Sequence, residues 1–188
     1  MLWFTFAETV FMFQLFGRKE RKITDKIWLH EKAKWDYCRQ QHQKAQNTAF
    51  IVWFEETYEK LTSVFTANGL QTDNIFLARQ AAHYQVQNMP VIFAEHYPLH
   101  AKEEEFLEKF HLTSVTFCSS LDEPLLKHFG SDKIVTFIQQ LGIKENEPLE
   151  HKMISSAIKN AQDKVASKVT LEQMAKSQAD WLMRNFTA

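Results

Sequence analysis

The sequence predicts an α/β fold, a RecA-like three-layer arrangement with a mostly parallel sheet, followed by an all-helical C-terminal extension. The first observation is residues 49–54, a compact apolar run rich in β-formers with polar residues on both sides, typical of a buried parallel strand. The second is that short apolar runs alternate with longer amphipathic stretches up to residue 121, whereas only helix-like stretches follow. This alternation indicates a sheet covered by helices on both faces.

The elements follow one another at regular lengths. Strands are predicted at 50–54, 75–77, 91–94 and 115–118, with helices at 31–46, 55–68, 78–87 and 101–110. Four more helices are predicted at 122–129, 131–141, 150–165 and 169–186, with Gly130 and Gly142 ending the first two. We therefore divide the chain into an N-terminal segment (1–22), an α/β domain (23–121) and a helical C-terminal region (122–188).

The N-terminal segment is unusually apolar. Residues 1–16 carry large apolar side chains at Leu2, Trp3, Phe4, Phe6, Val10, Phe11, Met12, Phe13, Leu15 and Phe16. The run is short for a membrane span and contains Glu8 and Gln14. Its basic cluster follows the apolar run, whereas a secretory signal has its positive charge first. The open alternatives are a helix buried on the domain, a helix buried in an oligomer, an interfacial anchor, and a signal or start-site artefact.

Composition argues against several classes of function. The formal net charge of −1 gives no electrostatic support for a nucleic-acid partner. Only 4 glycines are present, and phosphate-cradling enzymes generally need more. Cys38 and Cys118 are far apart in sequence and have no metal-ligand spacing, so we expect two reduced thiols.

The C-terminal third carries a family resemblance. Glu147-Pro-Leu-Glu-His151 is similar to Glu-Pro-Ile-Glu-His of the SecA preprotein-translocase ATPase family. Residues 157–165 resemble its Ala-Ile-Glu-Asn-Ala-Gln-Lys-Lys-Val, and residues 120–135 resemble the stretch that closes its second RecA-like motor domain. Upstream likeness is weaker but collinear, so the resemblance covers about residues 24–166 and extends to the start of the family's helical scaffold.

The chain departs from the family at the residues that handle nucleotide. Where the family has Gly-Arg-Gly-Thr-Asp, residues 93–100 read Phe-Ala-Glu-His-Tyr-Pro-Leu-His. The family's second arginine-rich run is missing between Phe110 and Val115, and no arginine lies between Arg79 and Arg184. No phosphate-loop motif occurs. The resemblance therefore implies a degenerate, truncated domain that is not an enzyme, with no catalytic, cofactor-binding or metal-binding residues and no cofactor.

Three constellations remain as candidates. Glu95, His96 and His100 follow a predicted strand, where ligands bind in α/β sheets, and they suit either an acid–base or metal role or a solvated loop; Pro98 disfavours a helical histidine pair. Cys118-Ser119-Ser120 ends a strand, either as a nucleophile or as a buried structural thiol, and no His or Asp partner can be assigned. Residues 102–109 form a charged helix face that solvation explains.

Two function hypotheses follow. The first is a protein-binding or scaffold module connected with protein translocation. The alternative is a ligand-binding domain or enzyme with a rebuilt pocket around Glu95–His100. The first hypothesis implies a protein partner or a second copy, no nucleic acid, and a peripheral membrane contact through residues 1–22 as one option. We expect a cytoplasmic location, with or without membrane association.

Overall fold

A parallel sheet forms the centre of the molecule. The structure, a computed structural model, describes residues 21–129, 135–136, 142 and 144–186. The strands are β1 (Lys22–Trp28), β2 (Ala49–Val52), β3 (Ile75–Leu77), β4 (Val91–Phe93) and β5 (Ser114–Ser120). They form one sheet in the order β1-β5-β4-β2-β3, and each neighbouring pair is parallel. The predicted fold class is therefore confirmed.

Helices cover both faces of this sheet. Helices α1 (Glu31–Lys44) and α2 (Glu55–Ala67) cover one face, and α3 (His83–Val86) and α4 (His100–Lys109) cover the other. Strand β2 shows why, because successive side chains of a strand point to opposite faces. Phe50 and Val52 join the α1–α2 cluster, whereas Ala49 and Ile51 join the α3–α4 cluster.

The C-terminal helices pack on this domain. They are α5 (Pro124–Phe129), α6 (Lys152–Ala166) and α7 (Gln178–Asn185). Ile154 and Ile158 of α6 share a cluster with Ile27 of β1, while Trp181 of α7 shares another with Phe54. Leu149 adds a single antiparallel bridge to Ile27, which is not a strand.

Several predicted boundaries are wrong. Strand β2 ends at Val52 instead of 54, because the backbone of the next two residues turns to bond a carboxylate from beyond β4. The helix predicted at 78–87 divides into a 3-10 turn (Ala78–Gln80) and α3, because Ala81 and Ala82 are extended. The side chain of Gln85 then bonds the backbone nitrogen of Ala82, and this contact starts α3 separately.

The predicted helical C-terminal region is present, but its last helix is shorter than predicted. Residues 169–177 are not helical, and the helix predicted at 169–186 is reduced to α7. Polar contacts hold this stretch against α7: the amide nitrogen of Gln173 donates to Asn185, and Asn185 donates back to the carbonyl oxygen of Gln173. The predicted N-terminal helix, up to residue 20, and the helix at 131–141, except Val135 and Thr136, lie outside the described residues.

Candidate functional site

The sheet has a topological switch point between β4 and β2. Strand β2 connects through α2 to β3 at one edge, whereas its neighbour β4 connects through α4 to β5 on the other side. Because α2 and α4 lie on opposite faces, a crevice opens at the carboxyl ends of β2 and β4, and ligands bind in such crevices in open α/β sheets.

The side chain of Glu95 reaches from the end of β4 to the start of α2, across this switch point. It follows β4 after Ala94 and is only 3% exposed. Its Oε1 accepts hydrogen bonds from the backbone nitrogens of Trp53 (2.9 Å) and Phe54 (3.0 Å), and its Oε2 accepts one from the Thr57 hydroxyl (2.6 Å). Phe54 is the N-cap of α2 and has no side-chain cap of its own. The carboxylate of Glu95 therefore occupies the helix N-terminus, where a bound anion would otherwise be stabilised.

The protonation of Glu95 is finely balanced. Burial raises the pKa of Glu95 to about 7, although the Thr57 hydrogen bond and the positive charge of Lys34 act in the opposite direction. The carboxyl group accepts three hydrogen bonds from protein donors, so its acceptor capacity is largely used within the domain.

A buried ion pair lies next to it. The Nζ atom of Lys34, on α1, donates to Glu123 Oε1 at 2.7 Å and to the carbonyl oxygen of Ala94 at 2.8 Å. It also lies 3.8 Å from the centroid of the Trp35 ring. Glu123 accepts a further hydrogen bond from the backbone nitrogen of Ser120. Burial lowers the pKa of Lys34, but the Glu123 carboxylate more than offsets this and raises it overall, so the lysine stays charged. Through these hydrogen bonds, the Lys34–Glu123 pair connects α1 with the ends of β4 and β5 and with the start of α5.

His96 is the centre of a second buried cluster. Its Nδ1 lies 2.9 Å from Glu103 Oε1 and its Nε2 lies 3.5 Å from Asp25 Oδ1. The ring stacks on Phe117 at 4.5 Å between centroids. Burial lowers the pKa of His96, but the two carboxylates raise it to about 10. A histidine that is an imidazolium at neutral pH holds charge and position, and it is a poor general base.

The positive charge of His96 lowers the pKa values of both neighbouring carboxyl groups, Asp25 and Glu103. Burial would raise the pKa of Asp25, but hydrogen bonding and charge from His96 lower it overall. Burial acts likewise on Glu103, whose pKa is lowered overall by His96 and His100. Glu103 Oε1 also accepts the backbone N–H of Tyr97 at 2.7 Å. This cluster joins β1, the end of β4 and α4.

His100 is more accessible and borders a cavity of about 210 Å³ that Asp25, His96 and Glu103 also line. Its Nδ1 lies 3.6 Å from Glu103 Oε2, and the hydrogen bond to Glu103 raises the pKa of His100. Within the part of the chain that the structure describes, no group of three or more His, Cys, Asp or Glu side chains is placed to hold a metal ion.

The structure corrects the solvated-loop interpretation of this segment. Glu95 and His96 are 3% and 4% exposed, so neither lies in a solvated loop. His96 and His100 meet at Glu103, whereas Glu95 bonds the start of α2 instead. Solvation explains most of the charged face at 102–109, but it fails for Glu103, which is buried.

The cysteine at the end of β5 is buried. Burial raises the pKa of the Cys118 thiol, and a hydrogen bond with Cys38 raises it further. Both cysteines are free and buried. The thiolate form is therefore disfavoured, as in a structural thiol rather than a nucleophile. The hydroxyls of Ser119 and Ser120 are buried and have no hydrogen-bond partner among the described residues.

Sequence reasoning missed Lys34, Glu123, Asp25 and Glu103. A signal existed for Lys34, because it shares the buried stripe of α1 with Trp35, Cys38 and His42 at helical spacing. For the carboxylates there was none, because their partners lie at distant points of the chain.

Comparison with known proteins shows that part of this chain is similar to SecA proteins. Protein translocase subunit SecA of Acetivibrio thermocellus is 46% identical over 52 residues, which are 28% of this chain and 6% of that protein. Over the same length, the SecA proteins of Syntrophus aciditrophicus and Desulforapulum autotrophicum are 50% and 52% identical. A stretch of this chain is therefore similar to SecA, and it spans 6% of the length of these relatives. No protein-family model matches the chain. No described helix has the length and apolar character to cross a membrane.

Proposed function

We propose that this chain is a non-catalytic SecA-like domain that serves as a protein-binding or scaffold module connected with protein translocation. The similarity to SecA supports the connection with translocation. The observation that carries the non-catalytic part is the position of Glu95, whose carboxylate takes the backbone donors at the N-terminus of α2.

Charge at the switch point supports the same conclusion. Phosphoryl transfer needs positive groups around the transferred phosphate, and loss of an arginine finger alone costs about 10³–10⁵ in rate. The segment after β4 supplies Glu95 there, which repels phosphate when ionised. The cation next to it, Lys34, is already bonded to Glu123. His96 is likewise enclosed by Glu103 and Asp25.

The nucleotide test is calorimetric titration of the purified chain with ATP and with ADP in the presence of magnesium, together with a phosphate-release assay. We expect neither binding at micromolar nucleotide nor hydrolysis. Glu95→Gln removes the negative charge in nearly the same volume, and Glu59→Gln, at an exposed position of α2, is the matched control. Micromolar binding by the wild-type chain that Glu95→Gln or His96→Ala abolishes would refute the non-catalytic assignment.

The partner test measures mass in solution by analytical ultracentrifugation, with the chain alone and mixed with the purified SecA of the same cell. We expect self-association or a complex with SecA, and loss of either when residues 1–16 are deleted. A monomer that binds no SecA, with or without those residues, would contradict the scaffold role.

The alternative is a ligand-binding domain or enzyme near Glu95–His100. The cavity of about 210 Å³ beside His100 is the observation in its favour. The charged state of His96 argues against acid–base chemistry there. A thermal-shift screen separates the alternatives, because a ligand at 100 times its Kd adds about 2.7 kcal/mol to the free energy of unfolding.

A further inference from the structure

A second, larger cavity lies at the switch point itself. Its volume is about 350 Å³, within the range of small-molecule sites. It is lined by residues that follow three strands: Trp53 after β2, Arg79 after β3 and Tyr97 after β4. The cavity therefore opens at the carboxyl edge of the sheet, where open α/β sheets bind ligands. Glu95 and His96 do not line it.

The walls of this cavity are aromatic and tightly held. Trp53 stacks on Phe93 at 5.8 Å with an interplanar angle of 20°, and it meets Phe106 edge-on at 5.6 Å. Its ring centroid is 5.0 Å from that of Tyr97. The indole Nε1 of Trp53 is buried and has no hydrogen-bond partner among the described residues. A planar ring would find aromatic surfaces to stack on here.

The charged side chains around the opening leave one lysine without a carboxylate partner among the described residues. Arg79, Lys102 and Lys109 line the cavity together with the carboxylates Glu105 and Glu172, and Arg79 is paired with Glu55 at 2.5 Å. Lys102 pairs with Glu105 at 3.3 Å. Among the described residues Lys109 has no carboxylate partner, and its Nζ lies 5.1 Å from the Phe110 ring centroid. Lys109 is therefore free to bind an anionic group.

The remaining wall is the non-helical stretch 169–177. Glu172 accepts hydrogen bonds from the Tyr97 hydroxyl and from Trp181 Nε1, which fixes this stretch to the aromatic wall. Burial and the Glu172 carboxylate raise the pKa of Tyr97, so its hydroxyl stays protonated and continues to donate. Met174 lines the cavity and is 71% exposed, so it lies at the opening. The cavity is formed by fixed elements before any ligand arrives.

We propose that this cavity binds a small aromatic anion, a planar ring that carries one carboxylate. The ring lies against Trp53 and Tyr97, and the carboxylate binds Lys109. This site is independent of the proposed scaffold role, because the groups that hold it are distinct from Glu95 and from the N-terminal segment.

The test is calorimetric titration of the full chain with indole-3-acetate and two relatives that each lack one feature. Indole-3-ethanol lacks the charge, and we expect it to bind about tenfold more weakly. Cyclohexaneacetate lacks the aromatic ring, and we expect it to bind about threefold more weakly. Absence of saturable binding of indole-3-acetate at millimolar concentration, or equal affinity for all three compounds, overturns the proposal.

Variants locate the site. Lys109→Gln is an exposed change that keeps the fold, and we expect it to weaken indole-3-acetate about tenfold and indole-3-ethanol very little. Lys152→Gln, at the exposed start of α6, is the matched control and leaves both affinities unchanged. Equal effects of Lys109→Gln and Lys152→Gln overturn the assignment. ATP titrated in parallel separates the two proposals: nucleotide binding sensitive to Glu95→Gln refutes the non-catalytic role and leaves this site standing.

Discussion

Replacement of Lys34 by methionine removes the only cation in contact with the buried carboxylate of Glu123 among the described residues. Methionine fills most of the volume, so the main loss is electrostatic. The variant leaves Glu123 with the Ser120 amide alone, and it removes a donor from the carbonyl oxygen of Ala94. Breaking one side of a buried ion pair costs about 3–5 kcal/mol. For a chain of this size we expect the melting temperature to fall by roughly 6–20 °C.

The double variant Lys34→Met/Glu123→Gln distinguishes charge from packing. Glutamine keeps an acceptor for the Ser120 amide and removes the unpaired charge. We expect the double variant to be more stable than the sum of the two single losses by about 2–3 kcal/mol. The assay is urea denaturation followed by tryptophan fluorescence and far-ultraviolet circular dichroism, with the free energy of unfolding taken by linear extrapolation.

The control is an exposed lysine with two carboxylate neighbours. Lys60 lies 3.2 Å from Glu31 and 3.0 Å from Glu56 at the surface. Exposed ion pairs contribute about 0–1 kcal/mol, so we expect Lys60→Met to change stability by no more than that. If Lys34→Met costs as little as Lys60→Met, or if the double-variant losses simply add, the structural role assigned to the buried pair is wrong.

Three further predictions follow from the same contacts. The pKa of His96 is raised to about 10 in the folded protein, so its contribution to the free energy of unfolding is complete below about pH 6.5. Stability should fall between that pH and about pH 10, at no more than about 1.4 kcal/mol per pH unit. In urea titrations His96→Gln should flatten this fall, and an unchanged slope would show that His96 is not an imidazolium in the folded protein. Glu172→Gln should cost about 1–3 kcal/mol in the same assay, because it weakens charged hydrogen bonds to Tyr97 and Trp181, whereas a loss no larger than that of Glu59→Gln would rule this out. Deletion of residues 1–16 should change the mass in solution, liposome binding or stability, because ten large apolar side chains in sixteen form a patch too large to leave exposed; no change in any of these measurements would show that the segment is only a tail.

Local pattern located four of the five strands, but it missed β1 and misjudged some helices. The run at 49–54 located β2, because a strand buried on both faces must be apolar throughout. The pattern could not end β2 at Val52, because that end depends on Glu95, more than forty residues away. The helical pattern at 169–186 was misleading for the same reason, since Gln173 and Asn185 bond each other and hold the chain away from helix.

At the candidate site, too, the sequence predicted the residues but not the directions of their side chains. The sequence placed Glu95, His96 and His100 at the end of a strand, and it showed that arginines are missing there. It could not show that Glu95 turns toward α2 while His96 turns toward Glu103, because alternate side chains leave a strand end in different directions.

By itself, the sequence determined the fold class, the positions of four of the five strands and the likeness of one stretch to SecA, because periodicity and residue identity are local properties. Only the tertiary structure decided which charges are buried together. The free energy of a buried charge depends on the partners that folding brings within hydrogen-bonding distance, and those partners, such as Lys34 and Glu123, lie in elements far apart in the chain.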